Sequence, residues 1–136
     1  MIAAATGDAL GAAFEFLNAH TIEATLDEPF AWHYRAALPG SLLHPRKPGL
    51  ATDDTAMALS VAHVIAGDGD LTAAAFAEAF LRDLDPEHGR FSTMFWTGGP
   101  GVTTMRSLAK LRAGADPDTC GGPNDGANGA AMRAHP

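Results

Sequence analysis

The chain has 136 residues, room for one compact domain, and its 46% hydrophobic and 18% charged content excludes a disordered acidic tail. Nine Lys and Arg against sixteen Asp and Glu give a formal net charge of −7, so the basic stripe that phosphate-directed nucleic-acid binding requires is missing. Fifteen Gly and nine Pro exclude one uninterrupted helix or coiled coil.

The first expected element is a helix over residues 2–17, where Ala-rich sequence places Ile2, Ala5, Ala9, Ala13, Phe16 and Leu17 at helical spacing. If it runs unbroken, Asp8 and Glu15 lie two turns apart on one stripe, about 10 Å from each other. Residues 18–50 are rich in Pro and Gly and read as a long loop with one short helix near 21–26. A second long helix is expected from Thr52 to about Gly67, because Thr52, Asp53, Asp54 and Thr55 are capping-type residues ahead of Met57, Val61, Val64 and Ile65. A third follows Asp70, turning Ala73, Phe76, Ala77, Phe80 and Leu84 inward, pairing Glu78 with Arg82 outside, and ending at Asp85 and Pro86. The glycine cluster at 98–101 opens a fourth, with Val102, Met105, Leu108, Ala109 and Arg112, closed by Gly114. A last helical start is expected at Asn128. No stretch alternates as a strand would, so the chain reads as all-α.

Three local patterns carry possible chemistry. Adjacent carboxylates at Asp53 and Asp54 repel unless a positive field is near; the helix N-terminus supplies about half a charge and a hard divalent cation far more. On TDDT alone, an ordinary helix cap is favoured over a cation site. Gly7 and Gly11 cost about 1 kcal/mol each in a helix relative to Ala, which points to close approach by another helix or by a ligand. The turns at 97–104 and 120–133 are glycine-rich and expected to offer backbone N–H groups at helix starts, as phosphate cradles do. Other constellations fail: Asp68–Gly69–Asp70 lacks the rest of a calcium loop, the six histidines show no zinc spacing, and no serine sits in a nucleophile elbow. A single cysteine, Cys120, excludes an intramolecular disulfide, and no apolar run reaches the roughly 20 residues of a membrane span. With no basic leader segment at its start, the chain reads as cytoplasmic.

In combination, GDALGAAFEF (7–16), PGLATDDTAMAL (48–59), GPGVTTMRSLAKLRAG (99–114) and NGAAMRAHP (128–136) resemble, in the same order, the motifs of the ADP-ribosylglycohydrolases. The resemblance implies an all-α orthogonal helical bundle with a binuclear Mg²⁺ centre, Mn²⁺ being an alternative, that cleaves the bond between ADP-ribose and an acceptor protein or small molecule. It implies metal ligation by Thr52, Asp53 and Asp54, catalytic roles for Glu15, Asp53 and Asp54, and substrate contacts from Gly99, Gly101, Thr103, Asn128 and Gly129. Members of the family continue past NGAAMR to a second Asp-rich motif, close to G-D-x-D-T, which completes the two-metal site. Residues 1–136 are therefore expected to form a partial domain, incomplete as a catalyst alone and prone to pair with a missing half or with itself. A non-catalytic module that binds ADP-ribose or Mg²⁺ is the alternative expectation.

Overall fold

A computed structural model describes residues 1–26, 33–41, 43, 45–93, 99–122, 124 and 126–134. Among the described residues five helices follow in chain order: α1 (Ile2–Gly11), α2 (Ala19–Thr25), α3 (Asp53–Ala66), α4 (Ala73–Asp83) and α5 (Val102–Arg112). Short 3₁₀ turns stand at Ala12–Phe14 and Ala131–Arg133. There is no strand among the described residues, so the chain is all-α as the sequence implies.

Side chains set the helix starts. Asn18 Oδ1 accepts from the Thr21 backbone N–H at 2.9 Å, Thr52 Oγ1 from that of Asp54 at 3.2 Å, and Thr72 Oγ1 from that of Ala75 at 3.2 Å. Each satisfies a donor that the first turn leaves unpaired. At the other end of α5, Gly114 takes φ 85, a left-handed conformation that glycine adopts without the steric cost of a Cβ.

α3 is the central element, packing against α4, α1 and the C-terminal 3₁₀ turn. The main core joins Ala56 and Met57 of α3 to Leu84 after α4 and Leu108 of α5, with Phe80, Leu81, Phe91, Met105 and Met132 packed around them. A smaller cluster of Ala12, Ala37 and Leu43 fastens the end of α1 to the following loop. Between α3 and α4 lies a polar tie: Asp83, 1% exposed, accepts from Ser60 Oγ at 2.9 Å and pairs with Arg82 Nε at 2.8 Å.

Several expectations are corrected. The helix expected over 2–17 ends at Gly11, because the chain tightens into the 3₁₀ turn and the Ala13 carbonyl accepts from Leu38 N–H at 3.1 Å instead of continuing the helical ladder. Phe16 then takes φ 64 and reverses the chain, so Glu15 is not on one helical stripe with Asp8. Arg82 turns to Asp83 and not to Glu78, since a buried carboxylate has far more to gain from a counter-charge than an exposed one. Val102 is 68% exposed and Ile65 50% exposed, so the inward faces of α5 and α3 run through Met105 and Leu108 and through Ala56, Met57 and Ser60. The element expected at Asn128 is only the 3₁₀ turn Ala131–Arg133, opened by Ala131 N–H to Asn128 O at 2.8 Å.

Candidate active site

The start of α3 is held from another helix. Asp8 Oδ2 accepts from the backbone N–H of Thr52 at 2.8 Å, from that of Thr55 at 3.2 Å, and from the Thr55 hydroxyl at 2.5 Å. One carboxylate thus satisfies donors of the first turn of α3 while its charge faces the positive end of the helix dipole. Gly7 and Gly11 on either side of it leave the neighbouring space open, with nothing within 4 Å of where their Cβ atoms would be.

Beside this contact lies a cavity of about 510 Å³ lined by Gly7, Asp8, Gly11, Glu15, Asp54 and Thr55, with Met132 at one edge. A Cβ on Gly7 or Gly11 would meet nothing within 4 Å. Helix crossing therefore does not account for either glycine; both face open space in the acidic cavity.

Four carboxylates feel one another here. Partial loss of water around Glu15, which stays exposed on one side, pushes its carboxyl above the ordinary range, and the charges of Asp53, Asp54 and Asp8 push it further. Burial likewise raises the Asp53 carboxyl, assisted by the charge of Asp8, against the opposing pull of its own backbone N–H, of Arg46 and of the Gly101 N–H. Arg46, only 4% exposed, faces the same group, and its guanidinium donates to the Ala51 carbonyl immediately before Thr52. Among the described residues, no three Asp, Glu, His or Cys side chains converge closely enough to hold a metal ion between them. The carboxylates share a field, not a common ligation point.

The expected substrate residues divide between two places. Gly101, at the start of α5, lies near enough for its backbone to stabilise the Asp53 carboxylate and so joins the acidic group. Thr103 and Gly129 line a second cavity of about 430 Å³ with Phe80, Ser107, Cys120 and Arg133. A Cβ on Gly129 would stand 3.6 Å from Thr104 Oγ1, which places this glycine directly against α5. Gly99 is half-buried and Asn128 exposed. The first glycine turn does lead into a helix, α5, through Gly101; the second leads into a three-residue 3₁₀ turn and brings no helix dipole. Residues 97, 98, 123 and 125 of these turns lie outside the described residues.

Sequence reasoning missed the roles of Asp8, Thr55, Arg46 and Arg133. Asp8 has a signal, its place between the two glycines of GDALG, but its partners are 44 and 47 residues away. Arg133 lies over the Phe80 ring at 5.0 Å and donates to Met57 Sδ at 3.5 Å; burial lowers its pKa.

The geometry joins the GDALG helix, the TDDT helix start and the GPG turn, and the family model described as ADP-ribosylglycohydrolase matches residues 1–136. The chain belongs to the ADP-ribosylglycohydrolase family. Comparison with curated proteins gives no significant match. The family resemblance of the sequence therefore extends to the whole chain, and the acidic group lies where its motifs meet. No helix among the described residues is long and apolar enough to cross a membrane.

Proposed function

We propose that this chain serves Mg²⁺-dependent hydrolysis of the glycosidic bond between ADP-ribose and a modified acceptor, a protein or a small molecule, in the cytoplasm. The observation that carries the reading is the meeting of motifs remote in sequence: Asp8 bonds Thr52 and Thr55 at the start of α3, and the Gly101 backbone lies near enough to stabilise the Asp53 carboxylate. A helix cap alone needs no neighbouring field from Glu15, Asp53, Asp54 and Asp8 beside a cavity.

The donor set suits a hard cation. It is made of oxygen atoms only, and the carboxyls of Glu15 and Asp53, raised by burial and further by neighbouring negative charge, would be stabilised in their charged form by a divalent ion. Asp53 and Asp54 would hold Mg²⁺, or Mn²⁺ in its place, with Thr52 as a neighbouring oxygen donor. Bound there, the ion would orient ribose hydroxyls and lower the pKa of an attacking water.

The chain's own groups do the rest. Departure of the acceptor builds positive charge on the ribose, and the carboxylates of Glu15, Asp53 and Asp54 stabilise it electrostatically. Glu15, at the rim, is the group placed to accept a hydrogen bond from the water. Gly99, Gly101 and Thr103 on one turn, and Asn128 and Gly129 on the other, contact the ADP-ribose, its phosphates lying toward the start of α5. A two-metal centre needs carboxylates on both sides of the ions. On this reading residues 1–136 are a partial domain whose site takes further acidic groups from elsewhere; a non-catalytic module that retains affinity for ADP-ribose or Mg²⁺ is the second reading.

Calorimetric titration of the chain with ADP-ribose in the presence of Mg²⁺ tests the assignment. The Asp53→Asn, Asp54→Asn double variant is expected to lose tenfold or more in affinity, about 1.4 kcal/mol. Equal affinity in wild type and double variant contradicts it. Mg²⁺-dependent release of ADP-ribose by the chain alone, abolished by Asp53→Asn, contradicts the partial-domain reading.

A further inference from the structure

Among the described residues, Phe16 is the one non-glycine with a positive φ, 64, and its side chain stands in water, 71% exposed. Leu17 N–H donates to Phe14 O at 3.0 Å, and Glu15 between them takes φ −56 and ψ 134. Phe14 to Leu17 is therefore a type II turn, whose third residue needs a positive φ and is ordinarily Gly or Asn. Phenylalanine brings the fold nothing there. Its Cβ makes the left-handed conformation costly, and its ring buries little apolar surface in return.

The surroundings hold this strain in place. Leu38 N–H bonds Ala13 O at 3.1 Å, Ala12 packs with Ala37 and Leu43, and Leu17 Cδ2 would stand 3.7 Å from a Cβ on Gly40. Both sides of the turn are thus fastened to the loop at 37–43, while its tip, Glu15 and Phe16, stays exposed. Strained residues fixed in this way cluster where ligands are held.

Phe14 and Glu15 line the acidic cavity, together with the carboxylates Asp8 and Asp54 and the apolar Ala58 and Met132. No Lys, Arg or His side chain lines it among the described residues. Consecutive Cα atoms are about 3.8 Å apart, so Phe16 stands within a side chain's length of the cavity rim at Glu15. An aromatic face beside a carboxylate attracts an organic cation through both the ring quadrupole and the charge, and an apolar lining suits the stem of such a cation.

We propose that Phe16 is a specificity-determining residue of this cavity: its ring, held out of the fold by the strained turn, takes a positively charged group carried on an apolar stem. Identifying that group with the acceptor attached to ADP-ribose rests on the function proposed above; the cation contact itself does not.

NMR titration of the isotope-labelled chain in EDTA with n-pentylammonium, 1-pentanol and pentanoate, one length in three charge states, tests the contact. Tm is measured alongside for wild type, Phe16→Asn and Phe16→Tyr. Pentylammonium is expected to shift the Gly11, Glu15 and Phe16 amides and to bind about fivefold tighter than pentanol, with pentanoate weakest. Phe16→Asn should weaken pentylammonium about threefold or more and yet raise Tm by about 3 °C, because Asn suits the turn. Phe16→Tyr keeps the ring and should match wild type in both. Equal pentylammonium affinity in wild type and Phe16→Asn, or pentanol binding as tightly as pentylammonium, overturns the proposal. A fall in Tm for Phe16→Asn also overturns it, by showing that the ring serves the fold. Ring-dependent pentylammonium binding by a chain that does not bind ADP-ribose upholds the contact and overturns its assignment to the acceptor; ADP-ribose binding without the ring-dependent contact does the reverse.

Discussion

Removing Asp8 should unfasten α3 from α1. Its Oδ2 accepts three hydrogen bonds at the start of α3, two from backbone N–H groups, one of them on Thr52, which is 6% exposed. With Asp8→Ala the Thr52 N–H loses its partner in a place with little water, at a cost of about 1–3 kcal/mol. Loss of a negative charge at the helix start adds roughly 0.3–1 kcal/mol. The substitution also relieves repulsion with Glu15, but that group is exposed at the rim, where solvent screens the gain. The net loss should be about 3 kcal/mol, a large share of the roughly 5–15 kcal/mol that holds a domain together. Asp8→Asn keeps one acceptor oxygen and loses the charge, so about 1 kcal/mol is expected. Urea unfolding reads both values from the midpoint, with an unchanged slope as the check that the unfolded state is not altered. An Asp8→Ala variant within about 0.5 kcal/mol of wild type, the scatter of an ordinary surface substitution, would mean that the Asp8 contacts are not what joins the helices.

Three further outcomes are expected. The metal-free chain should gain stability as pH falls from neutral toward about 5, because Glu15 and Asp53 carry raised carboxyls and bind protons more tightly folded than unfolded; Glu15→Gln with Asp53→Asn should flatten that rise in a series of urea melts. Below about 4 the trend should reverse, since burial would raise the Asp83 carboxyl but bonds from Arg82 and Ser60 hold it net below the usual range, and its contribution is lost as pH falls through the folded value; Asp83→Asn should reduce this acid sensitivity. Gly89→Ala should cost about 3 kcal/mol or more in the same melts, as a Cβ there would stand 2.5 Å from Asp85 backbone N and O and 2.7 Å from Asp83 O, atoms that cannot move aside cheaply.

How much was legible in the sequence depends on the range of the forces involved. α3, α4 and α5 begin where the sequence places them because their signals are local: a Thr cap, a Thr cap and a glycine turn. The end of α1 is not local, since a loop residue, Leu38, bonds Ala13 and draws the chain out of the helix. Composition likewise gives no warning that Val102 and Ile65 face solvent, because small Ala and Ser residues pack the α3 face more closely than larger ones. In the site, Asp53 and Asp54 stand out as adjacent charges, whereas Asp8 acts across 44 residues and Arg46 sits in a Pro-rich loop with no periodicity to mark it. The glycine turns share a composition but not a location: one meets Asp53, the other lines the second cavity.

Mn²⁺ provides the most direct test of whether the meeting point of the three motifs is a cation site. Added in small amounts to isotope-labelled chain, this paramagnetic ion broadens the amide NMR signals nearest to it. The account predicts that Thr52, Asp53, Asp54, Asp8, Glu15 and Gly101 broaden first, and that Asp53→Asn with Asp54→Asn removes the effect. Broadening centred instead on Asp116 and Asp118, or spread without a centre over the acidic surface, would contradict it.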